Sequence, residues 1–334
     1  MKKVAMLYEK LETDLVHCFL CSHRCKIADS QYGFCGVRKN EKGVLYSFVY
    51  ADVIASHVDP IEKKPLYHFL PGSSAYSIAT IGCNFRCSFC QNWQISQLSK
   101  RNGLSEGYEL KPEEVVREAK KYSCKGIAYT YTEPTIFFEY AYDTARIARK
   151  NDLYNIFVTN GYMTKKALDK IKPYLDAANV DLKSFSDDTY RTVCSGSLQP
   201  VLDSIRYMKE LGIWVEVTTL IIPRMNDSDK ELNDIAEFIV GVSSDIPWHI
   251  SRYHPDYKYI ETPATPLAAL KKAESIGKRA GLKYVYLGNT GEECNTYCAG
   301  CGCALVKRRG YDVSLGNIDN NKCSKCGTDV SGIW

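Results

Sequence analysis

The order of predicted strands and helices is the feature that most restricts the fold of this chain. Over roughly 200 residues, apolar runs rich in β-branched and aromatic residues alternate with amphipathic stretches. Because parallel strands need a helical crossover between them, this order predicts a series of βαβ units. The strand-like runs are residues 75–81, 126–132, 154–159, 178–182, 214–222, 248–253 and 284–288. The helical stretches are residues 135–150, 164–174, 198–211, 228–240 and 266–280, and one that opens at Pro112.

Six or seven βαβ units favour a barrel, complete or partial, over an open doubly wound sheet. The sequence therefore predicts an α/β fold, with a TIM-like barrel, complete or partial, at residues 71–290. Two short cysteine-rich segments flank it, an N-terminal head at residues 1–70 and a C-terminal module at residues 291–334. In such a barrel the chemistry lies at the C-terminal ends of the strands, so residues at those ends are the first candidates.

Charge and hydropathy argue against two classes of function. The chain has 334 residues and a net charge of +4, too small to indicate a dedicated nucleic-acid surface. No apolar run reaches about 18 residues, so no membrane span is predicted. Charged residues follow the first methionine too soon for a signal peptide, which predicts a cytoplasmic protein.

Cysteine is the residue whose abundance needs explaining. The chain has 15 cysteines, and in a reducing cytoplasm clustered cysteines indicate bound metal rather than disulfides. They fall into three groups, while Cys124 and Cys194 stand apart from every group. Metal binding is therefore expected at three places along the chain.

The middle group, Cys83, Cys87 and Cys90, follows the first predicted barrel strand with the spacing C-x3-C-x2-C. Three thiolates can hold three irons of a [4Fe-4S] cluster and leave the fourth iron for another ligand. An open metal site is typical of catalysis, whereas a closed one is structural. The alternative is a zinc site with three thiolates and a distant histidine.

Gly82, Asn84 and Phe89 complete this loop, which resembles the cluster loop of the radical SAM superfamily. The resemblance implies that S-adenosylmethionine (SAM) chelates the fourth iron through its amino and carboxylate groups. Reductive cleavage of SAM would then give methionine and a 5′-deoxyadenosyl radical. Phe89 would pack near the adenine, and the barrel would be a partial (β/α)6 TIM-like barrel of the radical SAM type.

The end of the second predicted strand, residues 129–134, resembles the Gly-Gly-Glu-Pro motif of enzymes that activate glycyl radical enzymes. Tyr131 and Thr132 replace the two glycines, while Glu133 is retained. The resemblance implies that Glu133 accepts hydrogen bonds from the SAM ammonium group. The alternative is that Glu133 opens the next helix, where an acid is favoured by the helix dipole.

Two further strand ends match the same enzymes. Residues 158–162 resemble their Asp-Thr-Asn-Gly turn, with Val158 in place of the aspartate, and Asn160 is a predicted SAM contact. Asp181 and Lys183 resemble an Asp-Leu-Lys motif and are two residues apart, so both point to one side of a strand. This pair suits the SAM carboxylate and ribose. The alternatives are a plain Asn-Gly turn and a surface ion pair.

Weaker candidates lie on the fifth and sixth predicted strands. His254 belongs to a segment that resembles the family's Pro-Tyr-His and is a predicted contact of SAM or substrate, and Thr219 is a predicted SAM contact. Basic residues flanking the cluster loop would suit an acidic electron donor such as a flavodoxin or ferredoxin, although plain solvated charges are the alternative. These residues are Arg86, Lys100 and Arg101.

The C-terminal group has two Cys-x2-Cys pairs separated by 21 residues, each followed by glycine. This pattern predicts a zinc-ribbon-like module with a closed, structural four-thiolate site. A rubredoxin-like iron or a second iron–sulfur cluster is the alternative, and Cys294 and Cys303 are spare thiols. The predicted ligands are Cys298, Cys301, Cys323 and Cys326.

The N-terminal group has four cysteines within 18 residues, with His17 and His23 beside them. Four thiolates suit either zinc or an auxiliary iron–sulfur cluster, and the spacing does not separate the two. The predicted ligands are Cys18, Cys21, Cys25 and Cys35.

Taken over its whole length, the chain resembles the radical SAM enzyme of the AmmeMemoRadiSam system, which is related to the pyruvate formate-lyase activating enzymes. The resemblance rests on the cluster loop and on residues 18–38, 59–66, 289–291 and 332–334. It implies an oxidoreductase that abstracts hydrogen from a substrate, with a glycine of a partner protein as one candidate. It also implies contact with the other proteins of that system.

Two alternatives remain open from the sequence. The same machinery could modify a small molecule or a peptide, or the chain could be a non-catalytic multi-metal scaffold or electron carrier. A carrier needs closed sites, whereas SAM cleavage needs an open iron.

Overall fold

The computed structural model describes residues 1–99 and 107–334. The head contains seven short strands, which form small antiparallel sheets and one strand pairing with residues 108–109. They are β1 (Lys3–Val4), β2 (Tyr8–Lys10), β3 (Val16–Cys18), β4 (Lys26–Ile27), β5 (Arg38–Glu41), β6 (Val44–Ser47) and β7 (Asp52–Val53).

The middle of the chain alternates strands and helices, as predicted. Its first half contains β8 (Ala55–Pro60), β9 (Ser74–Ala79), α1 (Trp93–Ser96), β10 (Tyr108–Glu109), α2 (Pro112–Lys121), β11 (Gly126–Tyr129), α3 (Phe138–Arg149) and β12 (Tyr154–Thr159). Its second half contains α4 (Lys165–Ile171), β13 (Ala177–Asp181), α5 (Asp187–Thr189), α6 (Gln199–Glu210), β14 (Trp214–Ile221), α7 (Asp229–Val242), β15 (Trp248–Arg252), α8 (Leu267–Ala280) and β16 (Val285–Gly288).

One eight-stranded sheet has the order β16-β15-β14-β13-β12-β11-β9-β8. All pairings from β9 to β16 are parallel, and only β8 runs antiparallel to its neighbour. Within the described residues, no pairing joins the edge strands β8 and β16, so the barrel is partial, as predicted. The seven predicted strands are the seven parallel ones, and β16 extends the six-unit barrel by one strand.

Local chemistry explains where the helices begin and end. Pro112 occupies the first turn of α2, and the Glu114 side chain accepts a hydrogen bond from the Lys111 amide at 2.8 Å. The Ser228 side chain caps α7 by accepting a hydrogen bond from the Glu231 amide. Helix α8 is followed by Gly281, whose φ of +107° favours glycine. The predicted helix at 135–150 instead begins at Phe138, because a 3-10 turn at Pro134–Phe137 precedes it.

The head and the C-terminal module attach to the barrel differently. Head residues such as Val16 and Val37 belong to the same hydrophobic core as the barrel strands. The C-terminal strands are β17 (Thr296–Tyr297), β18 (Ala304–Arg309), β19 (Asp312–Leu315), β20 (Ile318–Asp319) and β21 (Lys322–Cys323). They enclose a small core of their own, formed by Cys298, Leu305, Val306, Cys323 and Val330.

A polar contact joins this module to the barrel. The buried Arg308 side chain donates a hydrogen bond of 2.6 Å to the Tyr67 carbonyl, and the His68 ring contacts the Ser331 carbonyl at 2.8 Å. No helix in the described part of the chain is long and apolar enough to cross a membrane.

Candidate active site

A cavity of about 490 Å³ opens at the C-terminal ends of the parallel strands. Strand ends from β11 to β15 and the loop after β9 contribute to its wall. This is the place where barrels of this kind carry their chemistry. Among the predicted site residues, its lining includes Cys83, Cys87, Phe89, Cys90, Glu133, Asn160, Asp181 and Lys183.

The loop after β9 brings Cys83, Cys87 and Cys90 to one wall of this cavity. The loop turns sharply at Gly82, whose φ is +94°, and a Cβ there would lie 2.8 Å from a Val37 methyl group. The Phe85 amide donates a hydrogen bond to the Cys83 sulfur at 3.3 Å. Glycine is therefore required at position 82 for the loop to turn against the head.

Burial is the main cause that raises the pKa of the Cys83 and Cys90 thiols, and a hydrogen bond with Cys194 is the main cause for Cys87. A cation that binds thiolates would oppose these shifts, because thiolates rather than thiols are metal ligands. Among the described residues, the cavity lining has three cysteines. A three-thiolate wall beside a roomy cavity fits a [4Fe-4S] cluster with one iron open to a further ligand.

Cys194 is closer to this loop than the sequence indicated. It lies at the end of a π-helical turn, Tyr190–Cys194, and its carbonyl accepts a hydrogen bond of 2.8 Å from the Arg86 amide. Its thiol lies beside that of Cys87 and contributes to the raised pKa of that thiol. Cys194 stands apart from the cysteine groups in the sequence, but the fold returns it to the loop, where it does not line the cavity.

Glu133 and Asn160 form a polar bridge between the ends of β11 and β12. The buried Glu133 carboxylate accepts hydrogen bonds of 2.8 Å from the Asn160 amide and from the Thr159 hydroxyl. It also caps the following 3-10 turn, at 3.0 Å from the Thr135 amide. The Asn160 side chain donates a hydrogen bond of 2.8 Å to the Asn84 side chain in the cluster loop. Glu133 therefore opens the following turn, as the alternative interpretation of the sequence expected, and it also lies on the cavity wall.

Burial raises the pKa of Glu133. Hydrogen bonds from the Asn160 amide and from neighbouring threonines partly oppose that shift. Each carboxylate oxygen has two acceptor positions, and Oε2 of Glu133 accepts one hydrogen bond in this structure. The carboxylate therefore keeps the capacity to accept a hydrogen bond from a cationic ligand.

Asp181 and Lys183 lie together on the cavity wall, at the end of β13. Their Oδ2 and Nζ atoms are 2.9 Å apart. Burial lowers the pKa of Lys183, but Asp181 and the Cys87 thiol outweigh that effect and raise it overall. The Phe89 ring is buried, with its centre 5.9 Å from Lys183 Nζ. A cation beside the thiols suits a site that holds thiolates and a carboxylate ligand.

Two predicted contacts lie elsewhere. Thr219 does not line the cavity, because its hydroxyl accepts a hydrogen bond of 2.9 Å from the Trp248 indole on the other face of β14. Neighbouring side chains of a strand point to opposite faces, and Thr218 lines the cavity instead. His254 is exposed and stacks on Tyr253, while Ser251 lines the cavity from β15.

Two lysines and a tyrosine on the cavity wall are among the residues that were not predicted as site residues. Lys63, Lys64 and Tyr131 line the cavity, and the Lys64 ammonium lies 2.6 Å from the Asp59 carboxylate. The Tyr131 hydroxyl donates a hydrogen bond to the same carboxylate. Burial lowers the pKa of Lys64 to about 8. The resemblance noted over residues 59–66 was the signal that could have revealed the two lysines, and the glycine replacement noted at Tyr131 was the signal for the tyrosine.

The predicted electron-donor surface is only partly described. Arg86 is half-buried, and its guanidinium donates hydrogen bonds of 2.6 Å to the carbonyls of Cys83 and Phe34. This side chain therefore braces the cluster loop against the head. Lys100 and Arg101 lie outside the described residues.

The C-terminal thiols form a compact tetrad. The Sγ atoms of Cys298, Cys301, Cys323 and Cys326 all lie within 4.8 Å of one another. The Cys298–Cys326 and Cys301–Cys323 separations are 3.5 and 3.7 Å. With a Zn–S bond of about 2.3 Å, a tetrahedron requires sulfur atoms about 3.8 Å apart. The tetrad could therefore hold a single metal ion, while Cys303 adds a thiol 3.4 Å from Cys323.

Comparison with known proteins agrees with this geometry. Residues 77–239 match the sequence model of the family described as the Radical SAM superfamily. An uncharacterized protein of Methanocaldococcus jannaschii is 45% identical over 98% of both chains. The pyruvate formate-lyase-activating enzyme of Clostridium pasteurianum is 23% identical, covering 59% of this chain and 87% of the enzyme.

Among solved structures, SuiB of Streptococcus suis bound to S-adenosylmethionine superposes with a TM-score of 0.51 at 15% sequence identity. The match covers 69% of this chain and 53% of SuiB. At this level of identity the likeness concerns the fold, and it agrees with the partial parallel barrel described above.

Proposed function

Because this chain belongs to the radical SAM superfamily, we propose that it cleaves SAM reductively and begins radical chemistry on a substrate bound at the barrel mouth. One observation carries the proposal. Three thiols from one short loop line the cavity at the strand ends, and the carboxylates, amide and ammonium group expected around SAM line the same cavity.

Cys83, Cys87 and Cys90 would hold a [4Fe-4S] cluster through three of its irons. With SAM bound to it, such a cluster supplies a 5′-deoxyadenosyl radical that takes a hydrogen atom from the substrate. The Lys183 ammonium lies near the Cys87 thiol and favours its ionised form. The chain thus provides both the ligands and a positive charge that stabilises them.

The other side chains position the ligand. Asn160 is held by Glu133 on one side and by Asn84 of the cluster loop on the other, so its amide is fixed relative to the thiols. Asp181 offers a carboxylate to hydroxyl or ammonium groups, and Lys183 offers an ammonium group to a carboxylate. The buried Phe89 ring gives a flat apolar surface for a base and excludes water from that wall.

The substrate we infer is a protein, with hydrogen abstraction as in glycyl radical activation. The support is the similarity to a pyruvate formate-lyase-activating enzyme over 59% of this chain. A reduced flavodoxin or ferredoxin would supply the electron, and the other AmmeMemoRadiSam proteins are the first candidates for substrate or partner. The observations on the cavity itself do not favour a small molecule over a protein side chain.

The test is anaerobic turnover. The protein, assembled with iron and sulfide and reduced with dithionite, is expected to convert SAM to 5′-deoxyadenosine, and Cys87→Ala is expected to abolish the product. Cys124→Ala is the matched control, because Cys124 is also buried but does not line the cavity. Full cleavage by Cys87→Ala would overturn the proposal.

A second measurement distinguishes an enzyme that needs its substrate for rapid cleavage from a non-catalytic metal scaffold. SAM is expected to change the EPR spectrum of the reduced cluster in the unaltered protein, even if the substrate is needed for rapid cleavage. A reducible cluster whose EPR spectrum does not change when SAM is added would indicate a metal scaffold or electron carrier instead.

A further inference from the structure

A second cysteine-lined cavity lies in the head, outside the proposed active site. The head cysteines, although spread over 18 residues, all face one small cavity between the β2–β3–β4 sheet and the 3-10 turn Pro134–Phe137. The rest of its wall is mostly apolar, with Arg38 as the charged exception. Its lining is Cys18, Leu20, Cys21, Cys25, Ile27, Gly33, Phe34, Cys35, Arg38, Thr135 and Ile136.

The spacing of the sulfur atoms separates this site from the C-terminal tetrad. The tetrad's four thiols lie within 4.8 Å of one another, as a single tetrahedral ion requires. In the described part of the chain, no other three potential ligand atoms meet that limit. The head thiols therefore surround a space instead of touching one another. Four thiols that stand apart suit a four-iron cluster, since each thiolate binds a different iron at a corner of the cubane.

Arg38 supplies the compensating charge. Its guanidinium is buried and forms a two-pronged ion pair with Glu139 of α3, with both N–O distances 3.0 Å. Arg38 lines the same cavity as the Cys18 and Cys35 thiols. Nε of Arg38 is buried and has no hydrogen-bond partner among the described residues. A buried N–H group is costly to leave unpaired, and sulfur in this cavity would satisfy it.

The head site also adjoins the cluster loop. The His23 ring lies 2.6 Å from the Asn84 carbonyl, and a Cβ on Gly82 would lie 3.3 Å from the Cys35 carbonyl. The two sites therefore share a wall, although each has its own thiols.

We propose that Cys18, Cys21, Cys25 and Cys35 hold a second [4Fe-4S] cluster, closed by four thiolates. The cluster has no open iron and does not bind SAM. Its chemistry is confined to taking up and releasing one electron. The proposal is independent of SAM cleavage, because it concerns thiols that the active site does not use.

The test begins with removal of the loop ligands. The full-length triple variant C83A/C87A/C90A, produced with iron and purified anaerobically, is expected to retain about four irons and four sulfides per chain. After dithionite reduction its cluster is expected to give an EPR signal that SAM does not change. Zinc without iron–sulfur in this variant would overturn the proposal, and so would a cluster whose signal responds to SAM.

Two further variants locate the cluster. Adding Cys298→Ser to the triple variant is expected to leave the iron content unchanged, because the C-terminal tetrad is a separate site. Adding Cys21→Ala to the triple variant is expected to remove the cluster. Iron that follows Cys298 would place the cluster in the C-terminal module and sink the proposal. If the Cys21 variant does not fold, the triple variant and its Cys298 derivative still decide the matter.

Discussion

The cluster loop and the C-terminal tetrad both present closely spaced cysteines, yet they differ in what surrounds the sulfur atoms. The loop thiols line a cavity of about 490 Å³ together with polar side chains from five strand ends. The tetrad thiols contact one another at 3.5 and 3.7 Å, and Cys301 and Cys326 are exposed to solvent. The difference indicates that room beside the thiols, more than their number, separates a site for chemistry from a site for structure.

The two regions also differ in how they are held. Phe85, Cys87 and Phe89 of the loop belong to the main core, so the barrel shapes the loop with or without a metal. The C-terminal module has a core of five buried residues, two of which are the ligand cysteines Cys298 and Cys323. We expect a module with so small a core to need a bound metal for folding, as zinc-binding domains generally do.

The largest expected effect follows from that dependence. Cys298→Ser is expected to abolish zinc binding and to unfold the C-terminal module, because a structural zinc contributes about 10 kcal/mol or more to folding. Zinc content and amide hydrogen exchange across residues 296–323 measure both effects. The barrel is expected to keep its protection, since its core is separate.

Cys294→Ser is the matched control for this experiment. Its thiol donates a hydrogen bond to the Leu287 carbonyl at 2.8 Å and does not belong to the tetrad. Full zinc occupancy is expected to remain. Loss of barrel protection in Cys298→Ser would contradict the comparison, because the two regions would then fold as one.

Sequence patterns were sufficient to predict the architecture and to bring the three loop thiols together. β-branched runs such as residues 214–222 reappear as parallel strands, because strand propensity and burial agree there. The C-x3-C-x2-C spacing places three thiols together, since a loop that short leaves them little freedom. Both patterns are local, and local patterns are what a single sequence shows best.

Contacts between distant segments could not be predicted. Thr218 and Thr219 are neighbours, and only the position of β14 in the sheet decides which of them faces the cavity. Cys194 reaches Cys87 across more than 100 residues through the π-helical turn. Lys64 is placed by the antiparallel strand β8, which has no counterpart among the predicted strands.

A smaller effect is expected at the junction between the C-terminal module and the barrel. The His68 ring lies 2.8 Å from the Ser331 carbonyl and 2.6 Å from the Tyr286 hydroxyl. Burial lowers its pKa from 6.5 to about 4. The unfolded chain therefore binds a proton more readily than the folded chain, and stability is fully present above the unfolded pKa and falls as the pH falls towards the folded pKa.

This predicts a loss of about 1 kcal/mol in unfolding free energy between about pH 7.5 and about pH 5.5 from His68 alone. Urea unfolding at the two pH values measures it, and His68→Gln is expected to show a correspondingly smaller pH dependence. His57→Gln is the control, since His57 is exposed. If the unfolding free energy of His68→Gln had the same pH dependence as that of the unaltered protein, His68 would not be the cause of the loss.

The smallest expected effect concerns Cys194, which decides whether the loop site is open. Cys194→Ala removes a buried thiol that contacts Cys87, and it is expected to lower the unfolding free energy by about 1 kcal/mol. Because Cys194 does not line the cavity, the cluster content and the 5′-deoxyadenosine yield are expected to stay within about twofold of the unaltered protein. If Cys194→Ala instead lost the cluster and the product together, Cys194 would be a fourth ligand. The loop would then be as closed as the C-terminal tetrad, and the cavity beside it would not be the cause of its reactivity.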